Sequence, residues 1–235
     1  SIGSARVKIG LHQGYWQKHP TDRFIELAQK AEKLGFDSVF TAEAYGSDCF
    51  TPLAAIAAHT SSIRLCTGVM QISARTPVCA GMTALTLDHI SGGRLALGVG
   101  VSGPQVVEGW HGVPYGKPIT RTREYIKIMR AIMERAGPVE FDGVEYQLPN
   151  KSEAATGLGK PLKSILDANP DIPIYTASIT PAGLRCAAEV ADGVFPVWMD
   201  PDKYSLFAED LESGFAKAGN GKSLKDFDVA PFVSA

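Results

Sequence analysis

The chain has 235 residues, with 23 basic against 25 acidic side chains. That length fits one α/β barrel or two small domains, and the composition does not ask for two. Balanced charge without a run of one sign excludes the footprint of a nucleic-acid or anionic-membrane binder, and no apolar run is long enough to span a bilayer.

Cys49, Cys66, Cys79 and Cys186 are scattered and form no C-x-x-C pair. Neither a disulfide framework nor a zinc site follows, and buried reduced thiols are expected. The start Ser1-Ile-Gly-Ser-Ala-Arg6 lacks the apolar core of a signal peptide, so a soluble cytoplasmic protein is expected.

Arg6 to Leu11 reads as a first strand. Thr21 to Gly35 carries apolar residues at Phe24, Leu27, Ala28, Ala31 and Leu34, a helical spacing, with Thr21 as N-cap and Gly35 as stop. Ser38 to Thr41 is a second strand, Pro52 to Thr60 an alanine-rich helix, and Arg64 to Val69 a third strand. Thr76 to Ile90 is a helix with Pro77 in its first turn, and Ser91-Gly92-Gly93-Arg94 turns back into a fourth strand. Strands alternating with helices at short spacing imply parallel strands and right-handed crossovers.

The fourth strand, Leu95 to Gly100, opens into Val101-Ser102-Gly103-Pro104, and a helix is expected from Gln105. Glycines at 98, 100 and 103 let a ligand come close to the backbone, although they would equally serve a tight turn. The G-x-G-x-x-G spacing does not make a dinucleotide site. The acid about 20 residues on is Glu124, which lies inside a helical pattern instead of ending a strand.

Regularity breaks over 119–171. Ile119 to Arg135 is an amphipathic helix, Val139 to Leu148 alternates around Asp142-Gly143 as a two-residue hairpin, and Asn150 to Asp171 is a long polar loop of the kind that forms lids. The repeat resumes with a strand at Pro173 to Ala177, a helix at Pro181 to Ala191, a strand at Gly193 to Trp198, a helix at Pro201 to Lys217 and a strand at Phe227 to Val233. The expectation is an α/β fold of the (β/α)8 TIM-barrel type over 1–235, C-terminally incomplete and lacking its last strand-helix unit in this chain.

Chemistry in such barrels sits at the carboxyl ends of the strands. The rule places His12, Gln13, Tyr15, Trp16, Glu43, Tyr45, Asp48, Thr67 to Gln71, Val101 to Gln105 and Ser178 to Thr180 on the functional rim. Asp88, His89 and Arg94 fall on the stability face. Ser178-Ile179-Thr180-Pro181 could bind phosphate at a helix start, or Thr180 could simply cap that helix. No metal constellation appears.

Gly10-Leu-His-Gln-Gly-Tyr-Trp16, Phe40-Thr-Ala-Glu43, Gln71-Ile-Ser-Ala-Arg-Thr-Pro77, Leu87 to Arg94 and Gly100 to Gly109 together resemble the bacterial-luciferase-like family, and more narrowly its deazaflavin-dependent oxidoreductases. The resemblance implies a barrel holding coenzyme F420, or FMN in sister branches, and relatives that are often homodimers. It implies a non-prolyl cis peptide matching Gly68-Val69, cofactor contacts at Val101, Ser102 and Gly103, and a phosphate at Ser178, Ile179 and Thr180. Hydride transfer between the deazaflavin C5 and a small organic substrate is the implied reaction, with Glu43 and His12 as proton-transfer candidates and Tyr15 third.

Two departures stand out. Ala44 replaces a histidine that many relatives carry, and Ser102-Gly103 replaces a carboxylate of sugar-phosphate-oxidising relatives. The second argues against a sugar phosphate substrate. An FMN-dependent monooxygenase and a non-enzymatic flavin-binding relative are the competing expectations.

Overall fold

The structure, a computed structural model, describes residues 7–197 and 199–233. Arg6 and Trp198, outer ends of two expected strands, and the Ser1 to Arg6 start lie outside the described residues. The chain runs through β1 (Gly10–His12), α1 (Phe24–Lys33), β2 (Ser38–Thr41), α2 (Phe50–Ala57), β3 (Arg64–Thr67), β4 (Met70–Gln71), α3 (Pro77–Ser91) and β5 (Leu95–Gly100). Then come α4 (Pro104–Val107), α5 (Pro118–Glu134), β6 (Phe141–Asp142), β7 (Gln147–Leu148), β8 (Ile174–Thr176), α6 (Pro181–Val190), β9 (Gly193–Val194), α7 (Ser205–Ala218) and β10 (Asp228–Val229).

All pairings in the main sheet are parallel, in the order β1-β2-β3-β5-β8-β9-β10, with β4 continuing β3 along β5. Among the described residues β1 and β10 do not pair. Seven barrel positions are thus occupied in a curled sheet, as the sequence leads one to expect. Side chains alternate between two faces along each strand. Val39, Leu65, Leu95, Leu97, Val99 and Ile174 point outward into the core shared with the helices. Cys66, Ala96, Tyr175 and Phe195 point inward, where Phe40, Val69 and Phe232 join them.

The third strand is interrupted. Leu65 and Cys66 pair with Leu95 and Ala96, an offset of 30, whereas Met70 and Gln71 pair with Val99 and Gly100, an offset of 29. One extra residue therefore bulges between β3 and β4. The Thr67 hydroxyl bridges the break: Oγ1 donates to the Gly98 carbonyl and accepts the Gly98 N–H, both at 2.8 Å. A Cβ at Gly98 would stand 2.3 Å from the Thr67 carbonyl and 2.4 Å from Phe195, so only glycine fits.

Several boundaries differ from the sequence reading, each for a local reason. Helix α1 starts at Phe24, because Thr21 contributes only its carbonyl, to the Phe24 N–H, and no side chain caps the helix. Helix α2 starts at Phe50 because Asp48 Oδ1 accepts the N–H groups of both Phe50 and Thr51 at 2.8 Å. Helix α4 is only four residues long.

The hairpin is not a two-residue Asp-Gly turn either, since Asp142 pairs with Gln147 and four residues close the loop. Buried Glu124 on α5 accepts the N–H groups of Val144, Glu145 and Tyr146, and this carboxylate outcompetes the local turn preference. The Asn150 to Asp171 stretch is irregular as expected but tied down. Arg130 Nη1 donates to the Pro170 and Ile172 carbonyls, Arg135 Nε donates to Ser164, and Val139 bridges Leu162.

Asp88 and Arg94 serve stability. Arg94 donates to Thr60, Ile63, Ala57 and Ser91, and Asp88 accepts from the Leu95 N–H and Asn169. Cys49, Cys66 and Cys186 are buried thiols, but Cys79 is exposed on the outer face of α3, contrary to expectation.

Glu32, at the end of α1, accepts the N–H groups of Ser61, Ser62 and Ile63 at 2.8, 2.6 and 2.9 Å. Burial opposes its ionisation, but the hydrogen bonds from Ser62, Ile63 and Ser61 prevail and lower the carboxyl to about 2. A depressed folded value stabilises the protein above the ordinary carboxylate pKa and is lost as pH falls toward 2. With solvent screening the contribution is about 1 kcal/mol. Acid denaturation followed by circular dichroism should show Glu32→Gln losing that increment at neutral pH and responding less to acid than the parent.

Candidate active site at the barrel mouth

Four strand ends converge at the mouth. His12, the last residue of β1, lies nearly parallel to Phe40 of β2, ring centroids 6.0 Å apart, and edge-on to Phe232 at 5.0 Å. The Gly14 N–H donates to His12 Nδ1 at 3.1 Å, so the ring proton sits on Nε2, which donates to the Gly68 carbonyl at 2.7 Å. The Gly68–Val69 peptide is cis, as expected. Val69 then packs against Gly100, where a Cβ would come within 2.6 Å of its Cγ2.

Glu43, just beyond β2, is deeply engaged. Arg75 clamps it with two guanidinium nitrogens, Nη1 to Oε1 at 2.6 Å and Nη2 to Oε2 at 2.8 Å. The Gln71 N–H donates to Oε1 and the Cys49 N–H to Oε2. The two side chains are 5% and 16% exposed, Glu43 being the more buried. Burial alone would lower the Arg75 pKa, and the hydrogen bonds and charge of Glu43 more than compensate, raising it. Gln71 is held twice, since its Nε2 also donates to the Ala44 carbonyl, while its Oε1 is buried without a partner.

After β5 the chain passes through Ser102 in the left-handed region at φ 60, which costs a non-glycine residue about 1 kcal/mol. Gly103 leads into α4, its carbonyl accepting the Val106 and Val107 N–H groups. Beside this loop lies a cavity of about 420 Å³ lined by Val101, Tyr115, Ile119, Thr176, Ser178 and Thr180 among others. Thr180 caps α6, accepting the Gly183 N–H at 3.2 Å, so the capping alternative is realised. Ser178 and Ile179 also line the cavity, Ile179 being 56% exposed.

Two groups thus emerge from the expected residues. His12, Gly68 and Val69 meet at the mouth, whereas Val101, Ser178, Ile179 and Thr180 line the cavity and Ser102 and Gly103 sit on its approach. Glu43 contacts neither His12 nor the cavity lining in this network. Sequence reasoning gave no role to Arg75, Thr176 or Tyr115. Arg75 carried a readable signal as the one charged residue between Arg64 and Asp88. Among the described residues no cluster of His, Cys, Asp and Glu could hold a metal, and no helix is long and apolar enough to cross a membrane.

The model of the luciferase-like monooxygenase family matches residues 5–235. A Mycobacterium tuberculosis protein bearing the name of a coenzyme F420-dependent oxidoreductase is 49% identical over 226 residues, which covers 96% of this chain and 65% of that protein. The 5,10-methylenetetrahydromethanopterin reductase of Methanolobus tindarius is 31% identical over 216 residues, covering 91% and 61%. The coenzyme F420-dependent tetrahydromethanopterin reductase of Methanopyrus kandleri superposes with a TM-score of 0.78 at 25% identity, over 97% of this chain and 66% of that one. The chain spans less than two thirds of the length of these curated relatives. With strand order, mouth and cavity all in keeping, the chain belongs to the luciferase-like monooxygenase family.

Proposed function

We propose that this chain forms the cofactor-holding part of a coenzyme F420-dependent oxidoreductase that passes hydride between the deazaflavin and a small organic substrate. The observation that carries the reading is 49% identity across 96% of the chain to a relative named for that cofactor. The residues present suit such a group: Gln71 Oε1 and Thr176 Oγ1 are buried polar atoms without partners. When bound, the deazaflavin supplies the hydride-carrying carbon C5.

The protein's share is positioning and proton handling. Val101, Ser102 and Gly103 would hold the cofactor from the β5 side and Ser178, Ile179 and Thr180 from the β8 side, with Gly68 and Val69 behind the ring. His12 is assigned the proton transfer, because it stands exposed at the end of β1 and its Nε2 hydrogen is held by a single carbonyl, that of Gly68. Glu43 is assigned positioning. Four donors occupy its two oxygens, and through the Gln71 N–H and Arg75 it fixes β4 at the mouth. The homodimer and the cytoplasmic location belong to the same proposal, and sedimentation of the full-length protein decides the first.

A second reading, an FMN-dependent monooxygenase, is favoured by the description of the family itself. Fluorescence titration of the purified full-length protein with each cofactor separates the two. Coenzyme F420 should bind at least about tenfold tighter than FMN, a gap of about 1.4 kcal/mol. Tighter binding of FMN defeats the first reading. Absence of turnover with every carbonyl, alcohol and imine offered alongside bound F420 leaves a non-enzymatic binding protein.

A further inference from the structure

Two loops at the mouth carry aromatic side chains to which the proposed function gives no role. Tyr15 follows β1 and Tyr45 follows β2, and because these strands are parallel neighbours, both tyrosines stand at the sector of the rim where His12 ends its strand. Their ring centroids lie 6.4 Å apart with planes at 65°, an edge-to-face corner of the kind aromatic pairs prefer. Tyr45 is 64% exposed, so the corner opens to solvent.

The corner stands on a built platform. The Gly14 N–H donates to His12 Nδ1 at 3.1 Å, and the Gly14 carbonyl accepts the Ala42 N–H at 2.9 Å. The Ser47 hydroxyl accepts the Trp16 N–H at 2.8 Å, while the Ser47 N–H donates back to the Trp16 carbonyl at 2.9 Å. Gln71 Nε2 donates to the Ala44 carbonyl, and Trp16 packs edge-on against Phe24 at 5.0 Å. A Cβ on Gly46 would stand 2.2 Å from the Trp16 carbonyl and 2.7 Å from Tyr15 Cδ2, so the loops approach to a distance that only glycine permits. Both tyrosines are therefore flanked by fixed backbone. Aromatic surface held in this way receives a ligand at little cost in side-chain entropy.

Free charge is missing from the two loops. Over 12–17 and 41–49 the acidic and basic side chains are Glu43 and Asp48. Glu43 is clamped by Arg75, and Asp48 Oδ1 accepts the Phe50 and Thr51 N–H groups at the start of α2. A charged group brought to the corner would lose water and find no counter-ion. A cation gains from an open aromatic face, but in an edge-to-face pair one ring's edge takes up the other's face, and the two do not make a cage.

We propose that Tyr15 and Tyr45 form a substrate clamp, which selects an uncharged compound with a flat apolar body next to the carbonyl or hydroxyl that reacts. The inference deepens the proposed function and rests on it for the reaction at the mouth. The clamp itself is a claim about binding and needs no turnover.

The test uses the full-length protein and four ketones: 2-acetylnaphthalene, the same compound bearing a carboxylate or a trimethylammonium group on its far ring, and butanone. Calorimetric titration gives their affinities, and turnover with reduced F420 gives KM and kcat. The neutral naphthyl ketone should bind at least about tenfold tighter than butanone and than either charged analogue. Tyr45→Ala should raise the KM of the naphthyl ketone about tenfold, with kcat, the KM of butanone and the affinity for F420 all within about twofold of the parent. Tyr45→Phe, which keeps the ring, should behave as the parent does.

A charged analogue that binds as tightly as the neutral ketone overturns the clamp. So does a Tyr45→Ala effect that falls on kcat or on F420 instead of KM, or a naphthyl ketone that does not bind the parent. Where no ketone is turned over, naphthyl ketone binding that Tyr45→Ala weakens upholds the clamp and defeats the proposed function alone.

Discussion

Arg75→Met is expected to destabilise the protein by about 4 kcal/mol, read as a shift of the urea unfolding midpoint with an unchanged slope. The Glu43 side chain is 5% exposed, and removing the guanidinium strands a carboxylate in low dielectric with only the Gln71 and Cys49 N–H groups for company. Arg75 also lies over the Phe50 ring, 5.1 Å from its centroid, so a contact with α2 goes as well. The double variant Glu43→Gln, Arg75→Met should recover much of the loss, because the stranded charge is gone. A double variant as unstable as Arg75→Met would show that packing against Phe50, and not the charge pair, sets the cost.

The second large effect is expected at Phe195. It is 2% exposed, stacks on Tyr175 at 4.5 Å with planes 8° apart, and meets Phe40 and Phe232 at 5.7 and 5.2 Å. Phe195→Ala should cost about 4 kcal/mol, the sum of lost burial and the cavity left in the barrel interior. Phe195→Leu should cost less than half of that. The neighbouring phenol helps hold the site: burial pushes the Tyr175 pKa up to about 12, so its hydroxyl remains a donor, to Asp228 Oδ2 at 3.0 Å, across the ordinary pH range. Calorimetric melting of the two variants checks the order, and a loss below about 1 kcal/mol for Phe195→Ala would mean the interior collapses to fill the space.

Much of this architecture was legible before any coordinates. The strands β2, β3 and β5 are short apolar runs between polar turns, and their alternation with helices leaves few arrangements open. The face assigned to Asp88 and Arg94 followed from their place before a strand instead of after one.

Misreadings arose where a distant side chain overrode a local preference. Asp142-Gly143 carries a strong two-residue turn signal, and Glu124, some 20 residues away in sequence, imposes a four-residue loop by collecting its N–H groups. Asp48 moved the start of α2 in the same manner.

The site divides along similar lines. Its glycines and hydroxyls could be named from their positions at strand ends. The Glu43–Arg75 pair could have been matched, each being an isolated charge in apolar surroundings, yet no spacing rule links residues 32 apart. Thr176 was invisible, because a threonine within a strand is ordinary until its hydroxyl is found without a partner.

The extra residue between β3 and β4 bears on how this stretch can vary over evolutionary time. It reverses the phase of the strand, so that Cys66 and Val69 both look into the barrel while Leu65 and Met70 both look out. A gene that lost a single codon between Cys66 and Met70 would regain an unbroken ladder in which Met70 still lies opposite Val99 and still looks out, so the loss would remove the bulge and turn over no face of the strand. Length here can therefore change by that one residue without disturbing the pairing of the rest of the sheet, and what the mouth would lose is the bulged backbone between Cys66 and Met70 alone.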